Sequence, residues 1–182
     1  IQPDLSAASA AGVGGIDLTT ALAINEPGTA IVGTQKGGAF DIGRDLASQW
    51  LGLPNPNGKS NALVVRPWCN GLDLMRRWTN TWVNDFGATT SMDAAALFEA
   101  PFAYVDTRVR PEREANNRES YRRLWWLHAE PRGAFRRAVQ AVPRYAALPR
   151  VAKHRVWSFL PVCVLPDVQV VCIARSDDTT FG

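Results

Sequence analysis

The chain has 182 residues and is 46% hydrophobic, which is enough for one sizeable core and favours a single compact domain. Its formal net charge of +3 hides a strong asymmetry, because residues 108–155 hold thirteen Arg or Lys residues and only four acidic residues. Twelve of the thirteen are Arg, whose planar guanidinium can bind phosphates and guanine edges through paired hydrogen bonds, so nucleic acid is the first partner that the composition predicts.

Simple patterns argue against a membrane protein and against a disulfide-rich protein. No run approaches the roughly 18 consecutive apolar residues of a transmembrane helix, and residues 6–15 lack the basic start of a signal peptide. Cys69, Cys163 and Cys172 are odd in number and lack zinc-type CxxC spacing. We therefore expect reduced thiols, a cytoplasmic location and no membrane partner.

The start and end of the sequence predict a piece of a longer polypeptide. Residues 1–15 are rich in Ala, Ser and Gly without periodicity, and we interpret them as a flexible leader from a missing upstream domain. The chain begins with Ile1 rather than Met and stops at Gly182 soon after a strand-like run. Residues 16–182 are then expected to form one domain.

The first half of the sequence predicts short strands and one helix. Residues 30–42 are typical of two strands around Gly37-Gly38, a pair that supplies the positive φ of a tight hairpin turn. Asp41 is expected to cap a short helix that ends near Trp50. After a dense turn signal, strands are predicted over residues 63–68 and 81–86.

The second half predicts helices first and strands last. Ser91 can cap a helix through Tyr104 that kinks or restarts at Pro101. Further helices are predicted over residues 113–127 and 133–142. A hairpin continued into a meander is predicted from strands over residues 145–151, 156–160 and 168–174. The whole pattern indicates an α+β fold with a mixed, mostly antiparallel sheet, β-hairpins and several flanking helices.

The most specific local feature is the tract PRVAKHR, which places four donors in a short turn between two predicted strands. They are Arg150, Lys153, His154 and Arg155. Loops held by a rigid scaffold are where recognition usually takes place. A solvated hairpin tip, whose charges only keep a sheet edge from aggregating, explains the same composition equally well.

Gln169 and Lys59 are candidates that also have an ordinary structural explanation. Gln169 lies where the turn at residues 166–169 meets the last predicted strand, and its amide could bind adenine N6 and N7 in a major groove or simply occupy the turn. Lys59 could enter a groove as well, although the strongly turn-forming NPNG before it accounts for its position.

Two pairs of arginines stand beside tryptophans, as in contacts to phosphates or unpaired bases. Arg76 and Arg77 precede Trp78, and Arg122 and Arg123 precede Trp125-Trp126. The aromatic rings of Trp82, Trp125 and Trp126 are expected to pack in the core, whereas the adjacent arginines are candidates for contacts with DNA.

Catalytic and metal chemistry lack their usual sequence anchors. The chain has no dinucleotide, P-loop, zincin or hydrolase motif, and its two histidines are His128 and His154. We predict no catalytic residue and no metal site. An enzymatic alternative would need Asp85 or Asp93 beside His128, a geometry that their spacing does not establish.

Five ordered segments carry a family resemblance that extends over nearly the entire chain. NPNGKSNALVVRPWCNGLDL, EAPFAYV, RRLWWLHAEPR, PRVAKHR and VLPDVQ resemble the MmeI-like type IIL restriction-modification enzymes. Those enzymes join a nuclease, an adenine-N6 DNA methyltransferase that uses S-adenosylmethionine, and a C-terminal target recognition domain. This chain resembles the last of these. Leu148 and Val168 depart from the family pattern, in which Thr and a small polar residue commonly stand.

The resemblance implies a DNA-reading domain without its own cofactor. Double-stranded DNA and the methyltransferase domain of the same polypeptide would be its partners, and S-adenosylmethionine would bind in the parent's upstream domain. The donors of PRVAKHR and the turn at Gln169 would face the duplex. The alternative is a protein interaction module of a larger enzyme, in which the basic helices dock on an acidic partner domain.

Overall fold

A computed structural model describes residues 30–181, so the leader expected at residues 1–15 lies outside the described part. Within that part the strands are β1 (Ala30–Val32), β2 (Asp41–Ile42), β3 (Val65–Cys69), β4 (Trp82–Asn84), β5 (Arg144–Pro149), β6 (Ser158–Pro161), β7 (Leu165–Pro166) and β8 (Val170–Ile173). The helices are α1 (Arg44–Leu51), α2 (Met92–Ala96), α3 (Glu99–Arg108), α4 (Arg110–Glu114), α5 (Glu119–Arg123), α6 (Gly133–Ala138) and α7 (Asp178–Phe181). Short 3-10 turns cover Asn61–Leu63 and Val139–Ala141. No helix in residues 30–181 is both long and apolar enough to cross a membrane.

The strands form two four-stranded sheets, which confirms the predicted α+β class with mostly antiparallel pairing. The first sheet has the order β1-β8-β5-β6 and is antiparallel throughout. The second has the order β2-β4-β3-β7, in which only β3 and β7 run parallel.

The strand order of the first sheet corrects the predicted meander. β5 and β6 form the expected hairpin, with Ala147 opposite Ser158. β8 then pairs with the other side of β5, from Ala146 opposite Ile173 to Pro149 opposite Val170. This order arises because the chain leaves the first sheet after β6 and adds β7 to the second sheet before it returns as β8.

The predicted hairpin over residues 30–42 is wrong, because its two strands belong to different sheets. β1 pairs with β8 and β2 pairs with β4. Gly37 does adopt the expected positive φ, at 65°. The residues before it instead bridge other segments, since Thr34 pairs with Asp167 and Gln35 pairs with Glu130.

The helices in the middle of the chain break earlier and more often than the sequence indicates. The Ser91 side chain accepts the expected hydrogen bond from Ala94 N, at 3.3 Å. The break after α2 falls at Leu97 and Phe98 rather than at Pro101, because Pro101 lies in the first turn of α3, where its missing N–H costs nothing.

The single helix predicted over residues 113–127 is also wrong. α4 ends at Glu114, and the Asn116 side chain then accepts a hydrogen bond from Arg118 N in a local turn before α5 begins. Likewise α1 follows Gly43 rather than an Asp41 cap, because the Asp41 carboxylate pairs with Lys36.

Aromatic and aliphatic side chains fill a core that joins both sheets to the helices. Trp125 and Trp126 are buried as predicted, at 5% and 8% exposure, and Trp82 packs against the same cluster. Ring edges meet at close range, as in Phe135 and Tyr145, whose centroids lie 5.2 Å apart.

A buried carboxylate ties the second sheet to α6 and to the turn after β6. Asp85 accepts hydrogen bonds from two nitrogens of Arg136, at 2.7 and 2.8 Å, and one from Arg66 at 3.3 Å. Arg66 also donates to the backbone oxygens of Val162 and Cys163, at 2.5 and 3.0 Å. Burial alone would raise the pKa of Asp85, but Arg136, His128 and Arg66 outweigh it and hold that pKa well below its usual range.

Replacing Asp85 with Ala should cost far more stability than removing an exposed acid. Asp85→Ala leaves two partly buried guanidinium groups without their shared counter-ion, so we expect a loss of about 3–5 kcal/mol in the free energy of unfolding. Asp106→Ala, which breaks an exposed pair with Arg110, is the matched control and should cost little, because water screens that pair. Denaturant titration measures both values, and equal losses would contradict the role given to Asp85.

Candidate functional site

Three loops that are far apart in sequence meet at one end of the two sheets. We call residues 70–81, 150–157 and 167–169 the loop cluster. The first loop follows β3 and the third follows β7. Because β3 and β7 are parallel, their carboxyl ends lie together, and both loops leave the same end of the sheet. The second loop follows β5, whose last residue, Pro149, lies opposite Val170 directly after the third loop.

Short contacts show how closely these loops approach one another. Arg150 N donates to Gln169 O at 2.7 Å, and Asp167 N donates to Cys69 O at 2.8 Å. A Cβ added at Gly71 would lie 3.3 Å from Gln169 O and 3.9 Å from Pro149 Cβ. The close packing at Gly71 therefore joins the first loop to the third loop and to the last residue of β5, after which the second loop begins.

Seven of the ten sequence-predicted contact residues lie in the loop cluster, and all seven are exposed. They are Arg76, Arg77, Arg150, Lys153, His154, Arg155 and Gln169. Within residues 30–181 the five Arg and Lys side chains of this set form no ion pair. The cluster is thus a concentration of uncompensated positive charge, the arrangement that attracts a polyanion.

The two acidic residues of the loop cluster accept hydrogen bonds from their own loops and form no ion pair with the cations of the cluster. Asp73 is buried and accepts hydrogen bonds from Asn70 N at 2.9 Å and from Thr79 N and Oγ1, each at 2.8 Å. Asp167 accepts a hydrogen bond from Gln169 N at 2.8 Å. These carboxylates act as local turn-formers, so the cations around them remain available to a partner.

An open depression of about 260 Å³ lies between the loops and was not anticipated from the sequence. It is lined by Asn70, Gly71, Leu72, Met75, Val151 and Gln169. Three of its lining residues, Leu72, Met75 and Val151, are exposed apolar residues. Composition alone assigns such residues to a core, and only their position in loops could have suggested an exposed role.

The other three predicted contact residues lie outside the loop cluster. Lys59 precedes β3, whereas Arg76 and Arg77 follow that strand. Arg122 and Arg123 are exposed on α5, and Arg122 donates to the backbone oxygen of Asn116 at 2.7 Å. The structure does not bring these three side chains into the cluster.

Several arginines of the basic tract have internal roles, so the tract as a whole is not one anion-binding surface. Arg110 pairs with Asp106 and Glu114, Arg132 with Glu130, Arg136 with Asp85, and Arg144 with Asp178. Arg113 is buried at 1% exposure, donates to Lys36 O and Leu127 O, and stacks 4.3 Å from the Tyr121 ring. The predicted polyanion-binding surface can therefore include only the arginines that lack such internal partners.

The geometry gives the enzymatic alternative no support at His128. The ring lies near Asp85 in the core, and its Nε2 contacts Asn84 O at 2.8 Å. Burial lowers the pKa of His128 to about 4, although Asp85 opposes that shift. Asp85 is already paired with two arginines and holds a strongly depressed pKa, so it is a poor proton acceptor. Asp93 lies in the first turn of α2.

The Cys69 thiol, at the base of the loop cluster, is also unreactive. Burial, with smaller contributions from Asp73 and Asp167, raises the pKa of Cys69 to about 12, so it stays protonated at neutral pH. Within the described residues, no group of three or more His, Cys, Asp or Glu side chains is placed to hold a metal ion.

Comparison with known proteins shows a similarity of fold to a solved structure. Neither a scan with models of known protein families nor a search of curated proteins found a match. Among solved structures, the chain is similar to one described as "Structure of Type IIL restriction-modification enzyme MmeI in complex with DNA has implications for engineering of new specificities", with a TM-score of 0.61 and 12% sequence identity. The alignment covers 84% of this chain and 20% of that structure, so this chain spans about a fifth of the neighbour's length. At this identity the similarity shows a shared fold.

His128 should make the protein less stable as the pH falls from about 6.5 to about 4. Its folded pKa of about 4 lies below the ordinary value of 6.5, so the unfolded chain binds a proton that the folded chain excludes. This difference between the two pKa values corresponds to roughly 3 kcal/mol in the free energy of unfolding. That stability is present in full above pH 6.5 and is lost as the pH falls toward 4. His128→Gln should flatten this dependence in denaturant titrations, whereas the exposed His154→Gln should leave it intact. The opposite pattern would refute the assignment.

Proposed function

We propose that this domain recognises base sequence in double-stranded DNA as the target recognition domain of a restriction-modification enzyme. One observation carries the proposal: three loops from separate parts of the sequence bring seven of the predicted contact residues to one end of the sheets, and their cations have no acidic partner within residues 30–181. In this proposal the loop cluster enters the major groove.

In this proposal the cations and the amide of the loop cluster contact different parts of the DNA. Arg76, Arg77, Arg150, Lys153 and Arg155 supply charge that neutralises phosphates or reads guanine edges. The amide of Gln169 supplies the paired donor and acceptor that fit adenine. The exposed Arg122 and Arg123 on α5, together with Lys59, would hold flanking phosphates and so fix the position of the duplex.

The solved neighbour supports a DNA-related role because it is a restriction-modification enzyme in complex with DNA and shares this fold. We extend the proposal to a parent polypeptide with an upstream adenine methyltransferase domain that binds S-adenosylmethionine. That domain would be the second partner of this chain, and this chain itself would bind no cofactor. The parent would act in the cytoplasm, where its DNA substrate is found.

Binding to short duplexes should depend strongly on salt and on the cations of the loop cluster. For each neutralised phosphate, log K should fall by about 0.9 per tenfold rise in salt, so Arg76→Ala or Arg77→Ala should weaken binding and reduce that slope. Arg108→Ala removes an exposed arginine of α3 that has no ion pair among residues 30–181, and it is the matched control. Fluorescence anisotropy at several salt concentrations measures both quantities.

Two results of that titration would contradict the proposal. One is equal weakening by Arg108→Ala and by the loop variants, which would indicate diffuse charge attraction. The other is the absence of any salt-sensitive duplex binding, which would favour the alternative of basic helices docked on an acidic partner domain.

Variants of base-contacting and of phosphate-contacting residues should have different effects when the full-length parent is tested. Arg155→Ala and Gln169→Ala should change which sequences are methylated or cut, because each removes a base contact worth about 1–3 kcal/mol of discrimination. Arg122→Ala should weaken modification of all sequences alike. Sequencing of the modified positions gives the readout, and unchanged site choice in the first two variants would overturn their assigned role.

A further inference from the structure

The depression in the loop cluster exposes apolar surface at the end of the two sheets where the loops meet. Leu72, Met75 and Val151 are 53%, 40% and 78% exposed, although each would gain free energy by leaving water. They come from two loops and meet around Gly71, at which an added Cβ would come within 3.6 Å of Gln169 Cβ. The depression therefore offers a preformed apolar contact at the centre of a charged surface.

A free amide stands at the edge of that apolar surface. Asn70 uses its side-chain oxygen to accept hydrogen bonds from Leu72 N and Asp73 N, at 2.8 and 3.1 Å. Gln169 uses its backbone N and O in the loop cluster, and within residues 30–181 its side-chain amide has no hydrogen-bond partner. The Gln169 amide is thus available to a ligand that also touches the apolar walls.

The charge around the depression identifies the class of that ligand. Arg76 and Arg77 lie just beyond Met75 in one loop, and Arg150 and Lys153 flank Val151 in another. An apolar protein surface would gain nothing from these cations, which have no ion pair among residues 30–181, whereas a DNA groove places apolar and polar base edges between two rows of phosphates. Charge complementarity thus favours a base pair as the occupant.

We infer that the depression binds the major-groove edge of a single A·T base pair, an inference that rests on the proposed function. The 5-methyl group of thymine is the apolar group on that edge, and it fits against Leu72, Met75 and Val151. Adenine offers N7 as an acceptor and N6 as a donor beside it, the pair of groups that a Gln amide satisfies. A G·C pair has only the C5–H of cytosine where the methyl group would lie, and guanine O6 accepts where adenine N6 donates, so it lacks both groups that the depression is inferred to bind.

Removal of the thymine methyl group tests the inference directly. The 182-residue chain is first used to select duplexes from a randomised library, and the selected duplexes are then remade with deoxyuridine in place of thymidine, one position at a time. We expect one position at which deoxyuridine weakens binding about fourfold, as for the loss of one buried methyl group. At the paired adenine, 7-deazaadenine should weaken binding through Gln169.

Variants locate the effect in the protein. Leu72→Ala should remove most of the deoxyuridine effect, because the methyl group then has less apolar surface to contact. Leu63→Ala is the matched control, since Leu63 is 61% exposed and precedes β3, away from the loop cluster. Gln169→Ala should remove the 7-deazaadenine effect and leave the deoxyuridine effect in place. Leu72 and Gln169 are both exposed, so folding of these variants is checked by their unchanged unfolding midpoints.

The outcomes separate this inference from the proposed function. Selected duplexes without a shared A·T pair, or with an A·T pair that is insensitive to deoxyuridine, overturn the inference and leave sequence-specific DNA binding standing. A deoxyuridine effect that persists in Leu72→Ala also overturns it. Failure to bind any duplex, or binding without sequence preference, overturns the proposed function and the inference together.

Discussion

The parallel pairing of β7 with β3 is the contact on which the loop cluster depends. β7 has only two residues, yet it carries the chain from one sheet to the other and aligns Cys69 with Pro166. Arg66 reinforces this crossing, because its guanidinium reaches both the Asp85 carboxylate and the backbone just before β7. Without that crossing, the turn at residues 167–169 would have no reason to lie against the loop after β3, and the apolar depression would lose a wall.

The arginines of this protein fall into two groups that composition cannot distinguish. One group is structural: Arg113 lies between aromatic rings and two backbone carbonyls, and Arg136 grips a buried carboxylate. The other group projects from loops without partners among the described residues. Both groups use the same property of guanidinium, a flat array of donors with weak hydration, either toward the protein's own carbonyls and carboxylates or toward an external anion. A local excess of Arg is therefore an ambiguous sign of nucleic-acid binding until the folded partners are known.

The sequence predicted local structure well and long-range pairing poorly. The β5–β6 hairpin, the Ser91 cap and the buried Trp pair follow from periodicity and turn chemistry, which act over a few residues. β7 was missed because two residues show no periodicity, and β1 and β2 were paired wrongly because their true partners lie far along the chain. The partners of Arg136 were equally hidden, since Asp85 is 51 positions away. Within the loop cluster, charged residues could be singled out from the sequence, but the apolar ones could not.

The loop between β5 and β6 stands on strands that pair without its help. The strands are in register up to Ala147 and Ser158, and β8 secures the far side of β5, so the framework is complete without residues 150–157. An insertion at such a closed tip costs only about 0.6 kcal/mol per doubling of its length. Residues 150–157 can therefore be exchanged or lengthened while the strands beneath them keep their pairing.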